Sequence, residues 1–118
     1  MATLSTHLLN LTDGTHAGDV NICVFQVGND GQRRSLLAKA TDGGGRFSEA
    51  LALPSDSASW NYELVIQSGA YFATRGIADT DRQIVKEIVI RFAMPDPEGK
   101  YHIPLMIAPH GYSVWWSA

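Results

Sequence analysis

Two histidines and one arginine are the side chains best suited to acid–base chemistry in this 118-residue sequence. His7 and His102 each lie in the middle of a segment that alternates between apolar and other residues. Imidazole titrates close to neutral pH, so it can give or take a proton during a reaction. Arg46 follows three glycines in "TDGGGRF", where a guanidinium could hold an anion or an oxyanion. The spacing does not show that the three meet, and each could instead be an exposed or structural residue.

Short segments with a period of two must position these residues. In "TLSTHLL", Leu4, Thr6 and Leu8 share one face, so His7 lies on the other. In "YHIPLMIA", His102 lies opposite the aliphatic residues in the same way. Turn residues separate such segments at intervals of about ten positions, a spacing typical of a sandwich or barrel. The sequence therefore predicts an all-β sandwich of about eight strands in two antiparallel sheets.

Two local signals interrupt this pattern. The segment "SGAYFATRG" predicts one short helix, with Ser68 as its N-terminal cap and Gly76 at its end. Pro104 lies inside a predicted strand but cannot donate to a hydrogen-bond ladder, which indicates an edge strand or a bulge. Since no internal repeat or linker is visible, we expect one domain over residues 1–118.

Composition excludes several classes of protein. The apolar fraction of 45% and the charged fraction of 18% are those of a globular chain. A formal charge of -3 without a basic stripe disfavours a nucleic-acid partner, and no apolar run approaches the ~20 residues of a membrane span. Cys23 is the single cysteine, and the start lacks the pattern of a signal peptide. We therefore expect a cytoplasmic protein with no membrane partner.

Several common sites have no counterpart in the sequence. It contains no G-x-S-x-G nucleophile motif, no phosphate-binding loop, no dinucleotide motif and no C-x-x-C pair. The four histidines do not have the spacing of a zinc site. We expect neither a metal nor a cofactor.

Four segments resemble a known family, in order and over essentially the whole chain. They are "LSTHLLNLTDGTHAGDV", "TDGGGRF", "YELVIQSGAYF" and "YHIPLMIAPHGYS". The first resembles the opening Leu-Ser-x-His-x-Leu-Asp of the transthyretin-related 5-hydroxyisourate hydrolases. The last is close to their Tyr-His-Val-Pro-Leu-Leu-x-Ser-Pro-x-Gly-Tyr-Ser segment.

The resemblance implies a fold, an assembly and an activity. The fold would be a transthyretin-like eight-stranded β-sandwich with one short helix, in a homotetramer built as a dimer of dimers. A small heterocyclic substrate would bind in clefts at the dimer–dimer interface, where water opens the lactam ring of 5-hydroxyisourate in urate breakdown. The family's two histidines fall on His7 and His102, as proton-transfer groups, and its arginine falls on Arg46, which would steady the oxyanion.

The end of the chain departs from this family. The hydrolases end in Tyr-Arg-Gly-Ser, which lines their cleft, whereas this chain ends in Trp115-Trp116-Ser117-Ala118. Indole offers one N–H and an apolar face where guanidinium offers several donors, so a more apolar pocket is expected. Further departures are His16 in place of a proline, His110 and Val114. The residues predicted to bind substrate are Tyr112, Ser113, Trp115, Trp116 and Ser117.

Three functions stay open at this point. The first is a 5-hydroxyisourate hydrolase with an altered tail. The second is a diverged enzyme that keeps the histidines but acts on a more apolar heterocycle. The third is a non-enzymatic binding protein, as transthyretin is. Two positions also stay open for Trp115 and Trp116. They either line the pocket or only pack at a subunit interface.

Overall fold

The structure, a computed structural model, describes residues 1–76 and 82–117. Within them the chain forms nine strands, one α-helix and a short 3₁₀ turn at Ser57–Ser59. The strands and the helix are β1 (Ala2–Asn10), β2 (Asn21–Val27), β3 (Arg33–Ala40), β4 (Arg46–Leu51), β5 (Asn61–Ile66), α1 (Ser68–Thr74), β6 (Ile88–Phe92), β7 (Lys100–His102), β8 (Leu105–Ala108) and β9 (Gly111–Val114).

The strands form two packed sheets. In the first sheet the order is β4-β1-β8-β9, and β7 also pairs with β1. In the second sheet the order is β3-β2-β5-β6. The predicted two-sheet β-sandwich with one short helix is confirmed for the described residues.

Two details of the prediction differ from the structure. First, β7 and β8 pair with β1 in parallel, so the first sheet is mixed rather than antiparallel. The chain enters β7 from β6 of the other sheet, and local alternation carries no information about the direction of such a crossover. Second, the segment "YHIPLMIA" forms two strands rather than one, which raises the count to nine. Pro104 lies in the break between β7 and β8, inside the sheet rather than on an edge strand.

The core lies between the two sheets and follows the predicted alternation. In β1 every second residue is buried, beginning with Ala2 and ending with Asn10. In β5 the side chains of Tyr62, Leu64 and Ile66 are fully buried, as predicted. The Tyr62 hydroxyl satisfies its hydrogen bond with the Ser57 hydroxyl at 2.7 Å. The other largest fully buried side chains are Phe72, Leu4, Leu8, Ile22, Ile88, Met94, Leu105, Ile107 and Val20.

The helix begins and ends almost where the sequence predicts. Gly76 has a φ of 65° and follows the C-terminal cap Arg75, so its predicted role at the end of the helix is confirmed. The predicted cap at Ser68 is wrong, because the N-cap is Gln67 and no side chain caps the helix. Ser68 is buried inside the first turn, where its hydroxyl has no hydrogen-bond partner among the described residues.

Candidate active site

The outer face of the first sheet carries His7, Arg46 and His102 on three strands. Thr6 and Leu8 point into the core, so His7 between them points outward. His7 lies directly opposite Arg46 in the β1–β4 ladder, and opposed residues project from the same face. Ser5, two residues before His7, lies opposite His102 in the β1–β7 ladder. The register therefore brings the three predicted catalytic residues to one face.

A rigid corner sets the position of Arg46. The Asp42 carboxylate accepts hydrogen bonds from the backbone N–H groups of Gly44 and Arg46, both at 2.9 Å. Gly45 has a φ of 73°, and a Cβ there would lie 2.4 Å from the Leu8 carbonyl oxygen. A side chain at position 45 would therefore separate the corner from β1. Only glycine allows the close approach that sets Arg46 opposite His7.

The same corner keeps Asp42 ionised. The pKa of Asp42 is lowered, first by the hydrogen bond from the Arg46 backbone and also by the charges of Arg46 and His7. An ionised carboxylate is the better acceptor for the two N–H groups that hold the corner. Asp42 thus stabilises the backbone from which the Arg46 side chain extends.

His102 is held by a neighbour on β1. Its Nδ1 lies 2.8 Å from the Ser5 hydroxyl oxygen, and the two atoms are hydrogen-bonded. This bond occupies Nδ1, so Nε2 is the ring nitrogen that stays available to a ligand. The backbone of His102 also pairs with Ser117, whose N–H donates to the His102 carbonyl at 2.9 Å. Ser117, the last residue that the structure describes, therefore lies beside His102.

His7 is half-buried and contacts a second imidazole. Its Nε2 lies 2.9 Å from Nδ1 of His16, and the two rings meet edge to edge with their centroids 5.0 Å apart. Burial lowers the pKa of His7, and the charges of Arg46, His16 and His102 lower it further. A hydrogen bond to the Gly44 backbone opposes this shift. The lowered pKa favours a neutral ring, which is the form that can accept a proton.

Arg46 and His102 line an open cleft of about 470 Å³. We call it the polar cleft, and its lining residues are Ser5, Thr6, Asp42, Arg46, Phe47, Ser48 and His102. His7 is not a lining residue but lies directly opposite Arg46 in the β1–β4 ladder. Neutral imidazole can take a proton from water, and a guanidinium can stabilise the negative charge that develops on a carbonyl oxygen. The arrangement suits hydrolysis of a polar carbonyl compound.

The tryptophans of the tail line a different depression. Trp115 and Trp116 are 46% and 64% exposed, and they border an apolar groove of about 470 Å³. The residues lining this apolar groove are Ile90, Phe92, Ala93, Pro95, Tyr101, Ile103, Val114, Trp115 and Trp116. Within one chain the structure therefore does not bring the tryptophans into the polar cleft.

The other three predicted substrate-binding residues differ in how close they lie to the polar cleft. Ser117 lies beside His102 through the backbone pairing. Tyr112 and Ser113 lie on the exposed edge strand β9, with β8 between them and β1. Of the five, Ser117 is the one that lies against a residue of the polar cleft.

Three residues of this site were not predicted from the sequence. Ser5 shares the outward face with His7, so strand alternation could have suggested it. Asp42 precedes glycines, which is a pattern typical of a side chain that bonds to the turn after it. The contact between His16 and His7 had no local signal, because it depends on how the loop after β1 folds back.

Two other kinds of feature are absent from residues 1–76 and 82–117. No group of three or more His, Cys, Asp or Glu side chains is placed to hold a metal ion there. In the same residues, no helix is long and apolar enough to cross a membrane.

Comparison with known proteins gives consistent matches over nearly the whole chain. A model described as the HIUase/Transthyretin family matches residues 4–116. A 5-hydroxyisourate hydrolase of Mesorhizobium japonicum is 33% identical over 113 residues, which cover 95% of this chain and 89% of that protein.

Solved structures agree with these matches. The 5-hydroxyisourate hydrolase of Klebsiella pneumoniae superimposes with a TM-score of 0.79 at 31% identity, and the alignment covers 100% of both chains. Sea bream transthyretin, solved in complex with thyroxine, superimposes with a TM-score of 0.80 at 23% identity, covering 97% of this chain and 93% of that one. This second likeness concerns the fold alone.

Proposed function

The chain belongs to the HIUase/Transthyretin family, and from this premise we propose that it hydrolyses 5-hydroxyisourate. The relatives that match it over most of their length are named 5-hydroxyisourate hydrolases, which identifies it as an enzyme of this kind. In our proposal the reaction is the opening of the cyclic amide by water. A single domain over residues 1–118, acting in the cytoplasm, would carry it out.

One observation supports this activity most strongly, namely the shared outer face of His7, Arg46 and His102. Two imidazoles and a guanidinium lie on adjacent strands, with His7 opposite Arg46, and Arg46 and His102 line the polar cleft. Two proton-transfer groups and one cationic donor on a single face are the groups that hydrolysis of an amide needs. Their registers come from two different strand pairings, so one local turn cannot account for all three.

We assign the roles from the surroundings of each side chain. His7, whose pKa is lowered and whose Nε2 is bonded to His16, is the neutral base that takes a proton from the attacking water at Nδ1. Arg46 stabilises the oxyanion formed when the water oxygen adds to the lactam carbonyl. His102, whose Nδ1 is bonded to Ser5, presents Nε2 to the substrate and supplies the proton that the departing ring nitrogen needs. The carbon–nitrogen bond then breaks and leaves a carboxylate.

The test is hydrolysis of freshly prepared 5-hydroxyisourate in water enriched in ¹⁸O. We expect a rate well above the spontaneous one, with one labelled oxygen in the new carboxylate. A matched reaction with heat-denatured protein gives the spontaneous rate. A rate equal to that control would contradict the proposed function.

A second candidate is an enzyme for a more apolar heterocycle, and the position of the tryptophans favours it. An exposed aromatic pair beside an apolar groove suits stacking on a planar ring, which contributes about 0.5–1.5 kcal/mol. Replacing the pair by Trp115→Tyr and Trp116→Arg should raise 5-hydroxyisourate hydrolysis if the tail limits that reaction. An unchanged rate would mean that the tail does not determine substrate specificity. Fluorescence titrations need a Trp60→Phe background, because Trp60 is the third indole.

We also propose that the chain assembles as a homotetramer, a dimer of dimers with sites between the dimers. The support is the set of large apolar side chains that one chain leaves exposed on its edge strands and tail. They include Val89 on β6 and Tyr112, Val114, Trp115 and Trp116 at the end of the chain. Sedimentation at micromolar concentration should give four times the chain mass of 12.9 kDa. A monomer would contradict the assembly and any site shared between subunits.

A further inference from the structure

The imidazole of His16 is the least expected neighbour of the candidate site. It extends from the loop after β1, and its Nδ1 lies 2.9 Å from Nε2 of His7. The two rings are inclined by only 24°, with their centroids 5.0 Å apart. The contact is therefore an edge-to-edge hydrogen bond between two nearly coplanar rings, and it fixes the orientation of the His7 ring.

Backbone hydrogen bonds on both sides of His16 fix this loop against β1. The Asn10 N–H donates to the Thr15 carbonyl at 2.7 Å, and the Ala17 N–H donates to the Leu8 carbonyl at 2.9 Å. His16 lies between these bonds and forms a β-bridge with Leu9. The backbone thus places the His16 ring over β1 independently of its own side-chain contact.

We propose that His16 is a positioning residue for His7, holding Nε2 so that the tautomer and orientation of the ring present Nδ1 for proton transfer from water. This inference rests on the proposed function, since it assigns His7 as the base. A histidine that acts as an acid or a base generally needs another group that orients its ring. Here a second imidazole takes that role. Since His16 can itself donate or accept at Nδ1, the pair can hold a proton on either side of the shared contact.

Several charged or titratable groups face His7, and they determine the expected pH effect. Arg46 approaches from β4, His102 from β7, Asp42 from the glycine corner and His16 from the loop after β1. The charges of Arg46, His16 and His102 lower the pKa of His7, after the larger effect of burial. Removing the His16 imidazole takes away one of these charges, so the pKa of His7 should rise.

The experiment compares His16→Ala and His16→Asn with wild type in the full-length protein. For His16→Ala, the acid limb of the kcat/KM profile should move to higher pH, giving about 3- to 10-fold lower kcat/KM at acid pH. The kcat should fall while KM stays unchanged, because His16 acts on His7 and does not line the polar cleft. His16→Asn keeps a side chain that can bond to Nε2, so it should recover the rate above pH 7 but not the wild-type acid limb. The matched control is His110→Ala, which removes an exposed histidine from the turn between β8 and β9.

A second measurement separates this inference from the proposed function. Nuclear magnetic resonance titration of the His7 ring reports its pKa whether or not the protein turns over 5-hydroxyisourate. A higher pKa for His7 in His16→Ala than in wild type supports the positioning contact. An unchanged His7 titration, or an unmoved acid limb in an active enzyme, overturns it. An inactive wild type with a shifted His7 titration contradicts the proposed reaction and leaves the contact supported.

Discussion

The two outer faces of the sandwich each carry a cluster of charged and polar side chains, and the clusters differ in how their charges are compensated. On the second sheet, Glu63 is buried and lies 2.6 Å from Arg33 and 2.8 Å from Arg91. Arg33 also lies over the ring of Phe25. On the first sheet, Arg46 forms no ion pair with any carboxylate of the described residues, and its cross-strand neighbour is an imidazole.

The contrast separates a structural cluster from a reactive one. A buried carboxylate between two guanidinium groups has its charge compensated within the chain. The Arg46 guanidinium, without a carboxylate partner among the described residues, retains both its charge and its hydrogen-bond donors. We therefore predict that substitutions on the outer face of the first sheet affect turnover, and that substitutions on the outer face of the second sheet affect stability.

Replacing one arginine on each outer face by alanine should give the largest difference between the two faces. Arg46→Ala should lower kcat/KM by about 10²- to 10³-fold, because an oxyanion donor contributes about 2.7–4 kcal/mol to the transition state. Arg91→Ala removes a similarly exposed guanidinium from the other face and should leave turnover unchanged. Steady-state kinetics on 5-hydroxyisourate measure both. Equal losses in the two variants would mean that the faces do not differ in function.

Removing the buried charge should have the next largest effect. Glu63→Gln should lower the free energy of unfolding by about 1–3 kcal/mol, since two charge-assisted contacts are weakened at a buried position. Urea unfolding measures this change, and the exposed Glu87→Gln should stay within about 0.5 kcal/mol of wild type. If Glu63→Gln lost turnover but kept its stability, the assignment of the second cluster would be reversed.

Breaking the support of His102 should have a smaller effect. Ser5→Ala removes the 2.8 Å hydrogen bond to Nδ1, so the ring is less well oriented. We expect kcat to fall about 3- to 10-fold, in line with about 0.5–1.5 kcal/mol for one hydrogen bond. Thr3→Ala is the control on the same face of β1. A rate for Ser5→Ala equal to that of Thr3→Ala would show that the hydroxyl does not position His102.

The pH dependence of stability should show the smallest effect. Because the pKa of His7 is lowered in the folded state, folding favours its neutral form. The stability that His7 contributes to the folded protein is therefore fully present above its ordinary pKa of about 6.5. It is lost as the pH falls through the lowered pKa that His7 has in the folded state. Urea unfolding at pH 7.5 and 5.5 should show that wild type loses more free energy of unfolding on acidification than His7→Asn does. Equal losses in the two proteins would contradict the lowered pKa of His7.

The sequence predicts the orientation of residues better than their partners. Alternation in β1 places His7 outward because each neighbour is buried, and the same argument works for Tyr62 and Leu64 in β5. Register and strand direction depend instead on a distant crossover. For this reason the parallel pairing of β7 with β1, and with it the contact between Ser5 and His102, could not be predicted.

The tail shows the limit of a family resemblance. The resemblance aligns Trp115 and Trp116 with residues that line a cleft, whereas in one chain they border the apolar groove. Ser117 alone reaches His102, through backbone pairing that any residue but proline can make. Side-chain identity at the tail thus decides which surface the tryptophans cover, and backbone geometry decides what lies next to His102.

The central claim is that the outer face of the first sheet performs the hydrolysis, and turnover by histidine variants tests it most directly. His7→Asn and His102→Asn should each lower kcat on 5-hydroxyisourate by about 10²- to 10⁴-fold. Urea unfolding should change little, because neither side chain lies in the core. His110→Asn, an exposed histidine outside the polar cleft, should match wild type. Wild-type rates in both His7→Asn and His102→Asn would contradict the claim and make the two histidines structural.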